Sequence, residues 1–142
     1  MSPIIDTPIQ EGVPGPRLKM ARGIYDFAVD GGAVSTIALM GGTLIPSGAT
    51  ILGGWLEIST ALTSSGSATA AIQVEAANDI INAAAYSGAP WSTLGRKSVI
   101  PVFTGATLVR TTAVRDISLV IGTAALTAGK FSVVLVYADP LA

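Results

Sequence analysis

Cysteine and histidine are both absent from this sequence of 142 residues. Without histidine there is no Ser-His-Asp triad, no imidazole acid–base chemistry and no haem ligation through histidine. Without cysteine there is no zinc finger, thiol nucleophile or disulfide. Charge is scarce as well: Asp, Glu, Lys and Arg make up 12% of the chain, roughly half the usual share. Eight basic residues stand against nine acidic ones, so no positive surplus exists to neutralise a nucleic-acid backbone, and no nucleic-acid partner is expected. Long apolar runs are missing too. The greasiest stretch, Leu44 to Leu56, is interrupted by Pro46, Ser47, Gly48, Gly53 and Gly54, which excludes a transmembrane helix there. The opening Met-Ser-Pro-Ile-Ile-Asp has neither a basic nor an apolar signal region, so no secretory leader and no membrane partner are expected.

What remains is apolar. Half of the residues are hydrophobic and mean hydropathy is +0.62. A chain this greasy and uncharged covers its flanks with other protein. Ser and Thr number 26, so much of the polar surface is hydroxyl, which suits packing against a partner.

Pro3, Pro8, Pro14 and Pro16 punctuate residues 1–19. Proline fixes φ and removes a donor, so helix and central strand are both disfavoured. Ile4, Ile5, Ile9, Val13 and Leu18 are too apolar for a solvated linker. The reading is an extended arm that docks on a partner, with a frayed terminus as the alternative. Residues 20–142 form the second unit, a β domain. Arg22–Val29 alternates, with Gly23, Tyr25, Phe27 and Val29 facing inward. Strands follow at Val34–Met40, Ile51–Thr60 (a bulge at Gly53-Gly54), Ala68–Ala76, Thr107–Thr112, Asp116–Ile121 and Phe131–Tyr137. Ser98–Phe103 contains Pro101 and belongs at a sheet border. Leu126–Lys130 reads as a turn. Ala77–Tyr86 is alanine-rich with Asn78 or Asp79 as cap, and is the one helix expected. Eight to nine short strands and at most one short helix predict an all-β fold: an antiparallel β-sandwich, a jelly roll or a small barrel.

No chemical signature stands out. Glu57 and Glu75 fall on strands that pair in the simplest topology, but an exposed pair on a sheet face reads more naturally than a glycosidase dyad. Asp26 and Asp30 flank a Gly31-Gly32 turn without calcium-loop spacing. Lys97 and Ser98 are adjacent on a strand and so point to opposite faces. Gly12-Val-Pro-Gly15 is no phosphate loop. No catalytic, cofactor-binding or metal-ligating residue is assigned, and no small-molecule substrate is expected. Trp91, after a proline in an irregular stretch, has two readings, a core side chain or an exposed interface anchor. Arg96 and Lys97, with Arg110 and Arg115, read as ion-pair donors to another subunit.

Three stretches carry a family resemblance: Ala21-Arg22-Gly23-Ile24-Tyr25-Asp26-Phe27-Ala28-Val29-Asp30-Gly31-Gly32-Ala33-Val34; Thr60-Ala61-Leu62-Thr63-Ser64-Ser65-Gly66-Ser67-Ala68-Thr69; and Leu126-Thr127-Ala128-Gly129-Lys130-Phe131 running into Val133 and Tyr137. Together they resemble tailed-phage capsid decoration (cement) and head-fibre proteins over Ala21 to Tyr137. The resemblance implies a non-enzymatic virion protein on the outer capsid surface, homo-oligomeric as a trimer, bracing the major capsid protein. It carries no catalytic residues over. The alternative is a fibre-tip domain that binds a receptor or carbohydrate, with an aromatic cluster expected around Trp91, Tyr86 and Asp79.

Overall fold

The longest regular stretches are the ones whose side chains alternate most strictly. In Phe131–Tyr137 the odd positions Phe131, Val133, Leu135 and Tyr137 are all buried, and each buried side chain of this size is worth about 1.5–3 kcal/mol. The computed structural model describes residues 17–101 and 108–139. Among them the elements run in order β1 (Arg17–Asp26), α1 (Phe27–Asp30), β2 (Ser35–Ala38), β3 (Thr50–Ser64), β4 (Thr69–Gln73), β5 (Ile81–Ala85), β6 (Gly95–Val99), β7 (Ser118–Gly122) and β8 (Leu126–Asp139).

The strands form two four-stranded sheets, ordered β1-β8-β3-β6 and β2-β7-β4-β5. Every pairing is antiparallel. First pairs with last, second with seventh, third with sixth, fourth with fifth, as though one long hairpin were rolled up. That is the jelly roll, one of the all-β alternatives the sequence left open. The core lies between the sheets: Ile51, Leu56 and Ile58 from β3, Ile72 from β4, and Leu119 and Ile121 from β7 meet the β8 side chains. Tyr25 and Trp91 flank Phe131, with ring centroids 5.3 and 5.4 Å away. The bulge expected at Gly53-Gly54 is present as a register shift between Ile51 and Gly53. A Cβ on Gly54 would overlap the Val134 carbonyl oxygen, so only glycine lets β3 approach β8 there. Of the border strand expected at Ser98–Phe103, Ser98 and Val99 end the edge strand β6, Pro101 falls outside it, and residues 102–103 lie outside the described residues.

Five local expectations are corrected. Ala77–Tyr86 is no helix: it is a turn followed by β5, with Ala84 and Ala85 paired to Ala70 and Thr69. The Asp79 carboxylate accepts from the backbone N–H groups of Val74, Glu75 and Ala76 at 3.0, 2.8 and 2.8 Å. Asn78, at φ 62°, accepts from the Ala83 N–H. These side chains fix a reversal, and strand pairing overrides the small helix preference of alanine. The one helical turn lies instead at α1, where Asp26 accepts from Ala28 N–H and Asp30 accepts from Asp26 N–H. The Arg22–Val29 strand therefore stops at Asp26, Phe27 is half-buried, and Val29 is exposed. Leu126–Lys130 is not a turn but the start of β8. Of the strand expected at Thr107–Thr112, the described part makes one isolated bridge, Arg110 to Thr50, with Thr111 buried between Ala49 and Pro46. Finally, β1 begins at Arg17, so the last three residues of the expected arm already belong to a sheet, with Lys19 Nζ 2.9 Å from Asp139.

Candidate functional site

The sheet β1-β8-β3-β6 has one face in the core and the other open. In β1 the buried positions are Ala21, Gly23 and Tyr25, which turns Leu18, Met20, Arg22 and Ile24 outward. Leu18 is 68% exposed, Met20 66% and Ile24 46%. From β8 come Ser132, Val134 and Val136, from β3 Trp55, Glu57 and Ser59, and from β6 Arg96 and Ser98. Register sets these into rows across the sheet: Arg22–Val134–Trp55–Ser98, and Ile24–Ser132–Glu57–Arg96. Val134 points outward yet is nearly covered, because Arg22 and Trp55 stand on either side of it.

Charge on this face is fixed in place. The Arg96 guanidinium donates twice to Glu57 Oε1, at 2.7 and 3.1 Å, and lies 5.3 Å from the centre of the Trp55 ring. Exposed ion pairs add little stability; this one orients Arg96 over the indole, where the cation–π attraction acts. Arg22, Trp55, Glu57, Arg96, Ser132 and Val134 line a shallow hollow of about 260 Å³. Beside it, Arg22, Ile24, Asp26, Val29, Asp30 and Lys130 border a wider one of about 520 Å³. Below this second hollow the Tyr25 hydroxyl donates to the Gly31 carbonyl at 2.7 Å. Burial pushes its pKa up to about 12, helped by Asp30 and Asp26. Exposed aliphatic side chains around a Trp, an Arg and a Met have the composition of a contact surface. Neither hollow brings together a nucleophile and a base. Among the described residues no three acidic groups converge as a metal site would need.

The opposite sheet presents its own outer face, with Thr36, Ala38, Ser118, Val120, Thr69, Ala71 and Gln73 across β2, β7 and β4. It carries no charge and few large side chains.

The residues singled out from the sequence are scattered. Ile4, Ile5, Ile9 and Val13 lie outside the described residues. Leu18 is on the open face. Trp91 is a correction: it is fully buried against Phe131 and is no exposed anchor. Its backbone N–H donates to the Gly88 carbonyl and its backbone carbonyl accepts from Leu62 N–H, so the irregular stretch folds inward over the core. Tyr86 is half-buried and packs against the core. The aromatic cluster expected around Trp91, Tyr86 and Asp79 is therefore not formed, and Asp79 is occupied with its turn. Arg96 is engaged with Glu57 in its own chain. Lys97 Nζ donates to the carbonyls of Thr93, Leu94 and Gly95. Glu57 and Glu75 do not meet: Glu75 lies beyond β4 in the other sheet and takes Arg115 at 2.9 Å. Arg115 and the Thr112 hydroxyl and N–H hold the Glu75 carboxyl down at about 2. Sequence reasoning did not single out Trp55 as a surface residue, although a signal was there: it shares a strand face with Glu57 and Ser59, opposite the buried Leu56 and Ile58.

The architecture belongs to the jelly rolls, a class shared by viral capsid domains and lectins. No protein-family model and no curated protein sequence matches the chain. Three solved structures share its fold. A chain of the Ralstonia phage GP4 capsid superposes with TM-score 0.62 at 14% identity, covering 100% of this chain and 92% of that one. A chain of the cyanophage Pam1 capsid asymmetric unit gives 0.59 at 20% identity, with 89% and 87% covered. One from the acid-stable capsid of Helicobacter pylori bacteriophage KHP30 gives 0.57 at 11% identity, with 87% and 89% covered.

Proposed function

We propose that this chain is a structural virion protein of a bacteriophage that sits on the outside of the icosahedral head as a trimer and cements major capsid protein subunits. One observation carries the reading: chains of three phage capsids superpose on at least 87% of this chain, and this chain covers at least 87% of each of them. The scarcity of charge and the exposed Leu18, Met20 and Ile24 on the open face of the β1-β8-β3-β6 sheet support it. On this reading the protein is not an enzyme and needs no cofactor. It works by adhesion: each copy adds a weak contact, and linked copies reach high occupancy through effective concentration. The arm, with Ile4, Ile5, Ile9 and Val13, supplies apolar anchors, and Leu18 and Met20 continue them onto the sheet.

The test is reconstitution. Purified protein added to heads of its phage that lack it should bind saturably, should be accessible to antibody on intact particles, and should raise the temperature at which the heads release DNA. Heads that ignore it, or a copy protected inside the shell, overturn the proposal. Truncation before Arg17, which leaves β1 whole, should reduce retention. The fibre-tip alternative has lost its expected platform, since Trp91 is buried, and Trp55 lies under Arg96. Glycan-array binding abolished by Trp55→Ala would restore it.

A further inference from the structure

We propose that residues 9–16 lie across the open face of their own chain's β1-β8-β3-β6 sheet, with Val13 packed on Leu52 and Val136 and with Glu11 paired to Arg110. The contact lies within one chain, so it stands or falls apart from the virion reading.

The face comes first. Register places Leu18, Ala138, Thr50 and Arg110 in one row across the sheet. The next row holds Met20, Val136 and Gly53, with Leu52 bulged out beside them. Val99 and Val109 are buried, so Ile100 and Leu108, next to them in the chain, turn outward at the far end of these rows. Leu52 is 48% exposed, Ile100 74% and Leu108 62%. With Leu18 and Met20 they make an apolar band that crosses the sheet, and among the described residues nothing covers it. A contiguous apolar band of this kind marks a contact site.

The occupant follows from where the chain enters. Residues 1–16 lie outside the described residues and join β1 at Arg17, the corner next to Leu18. From Leu18 to Arg110 the row crosses three strand spacings, about 14 Å. Glu11 precedes Arg17 by six residues, about 19 Å of extended chain. It therefore reaches Arg110 while Val13 passes over the middle of the band. Four prolines in residues 1–16 withhold N–H groups from any sheet edge. They suit an extended segment held on a face by its side chains. Charge fits as well: Asp6 and Glu11 are the only charged side chains in residues 1–16, and Arg110 stands where the row ends. Residues 102–107 border the same end of the band but hold no carboxylate for Arg110. A short tether keeps the segment at about millimolar effective concentration, well above that of a second copy in dilute solution.

The chain has no cysteine of its own, so a Val13→Cys/Leu52→Cys variant reports the contact with a short bis-maleimide. Cross-links within single chains are expected. Covalent multimers would give the face to a second copy and, like no cross-link at all, overturn the proposal. A free tether would also meet Leu52 by chance, so the charge pair is tested on the same cysteine background. Glu11→Arg and Arg110→Glu should each cut the cross-linking yield about fivefold, and the two together should restore it to within about twofold. A yield indifferent to both reversals sinks the docking, and so does a swap that restores nothing. Circular dichroism checks that each variant is folded.

Discussion

Trp91 shows how far a single residue can stand from its sequence context. Its ring is sealed against Phe131, and among the described residues its Nε1 has no hydrogen-bond partner. Leaving a buried donor unpaired costs about 1–3 kcal/mol. Truncation to alanine should therefore destabilise by about 3–5 kcal/mol through the cavity it leaves. Trp91→Phe keeps most of the contact and removes the orphaned donor, so its loss should stay below about 1.5 kcal/mol. Urea midpoints of the two variants decide it; equal losses would show that the ring's packing is not what matters. Glu75 makes a pH prediction. Its carboxyl is held at about 2 against an ordinary 4.5, first by Arg115 and then by Thr112. A depressed carboxylate contributes stability that is complete above the unfolded value and is lost as pH falls through the folded one. The thermal midpoint of Glu75→Gln should lie below that of the parent at pH 6, and the two should converge between pH 4.5 and 2. A constant gap across that window would show that the pair does not titrate with folding.

At the scale of elements, the β4–β5 reversal is the clearest lesson. Alanine content and a plausible cap made Ala77–Tyr86 read as a helix, yet the same Asp79 that suggested the cap organises a turn. Its three N–H contacts reach backward to residues 74–76 rather than forward into a helix. Nothing in the local sequence separates these outcomes, because an aspartate caps a helix and a turn by the same bond. Asp79→Ala should strip the turn of its acceptors and cost about 1–3 kcal/mol. Hydrogen exchange of Val74, Glu75 and Ala76 should speed up before that of β8; unchanged protection at these amides would contradict this account. By contrast β8 was legible in full from Phe131 to Tyr137, since strict alternation of large apolar and smaller residues has one solution. The start of β8 was not, because Gly129 and Lys130 look like a turn. A Cβ on Gly129 would collide with Leu62, so this glycine is kept for close approach of β3 rather than for reversal.

For the whole molecule, the open face of the β1-β8-β3-β6 sheet matters most. Leu18 and Met20 stand in solvent on β1, the end strand of that sheet. Replacing both with lysine removes apolar area and adds repulsion across any interface between copies. On the proposed assembly, sedimentation should find the parent as an oligomer and this variant as single chains, with the fold intact; a parent that already sediments as single chains would defeat the proposal. Assembly that survives this double change would move the interface elsewhere, to the uncharged outer face of the β2-β7-β4-β5 sheet first.

Composition and periodicity determined the class of this protein: short alternating strands and glycine turns specify an all-β domain, and the missing cysteine and histidine exclude chemistry that needs them. Those are local and additive properties, so a sequence carries them openly. Which strands pair across the roll, that Trp91 faces inward and that Glu57 meets Arg96 while Glu75 meets Arg115 were decided by tertiary structure alone. Each depends on contacts between residues tens of positions apart, and those are set by how the long hairpin rolls.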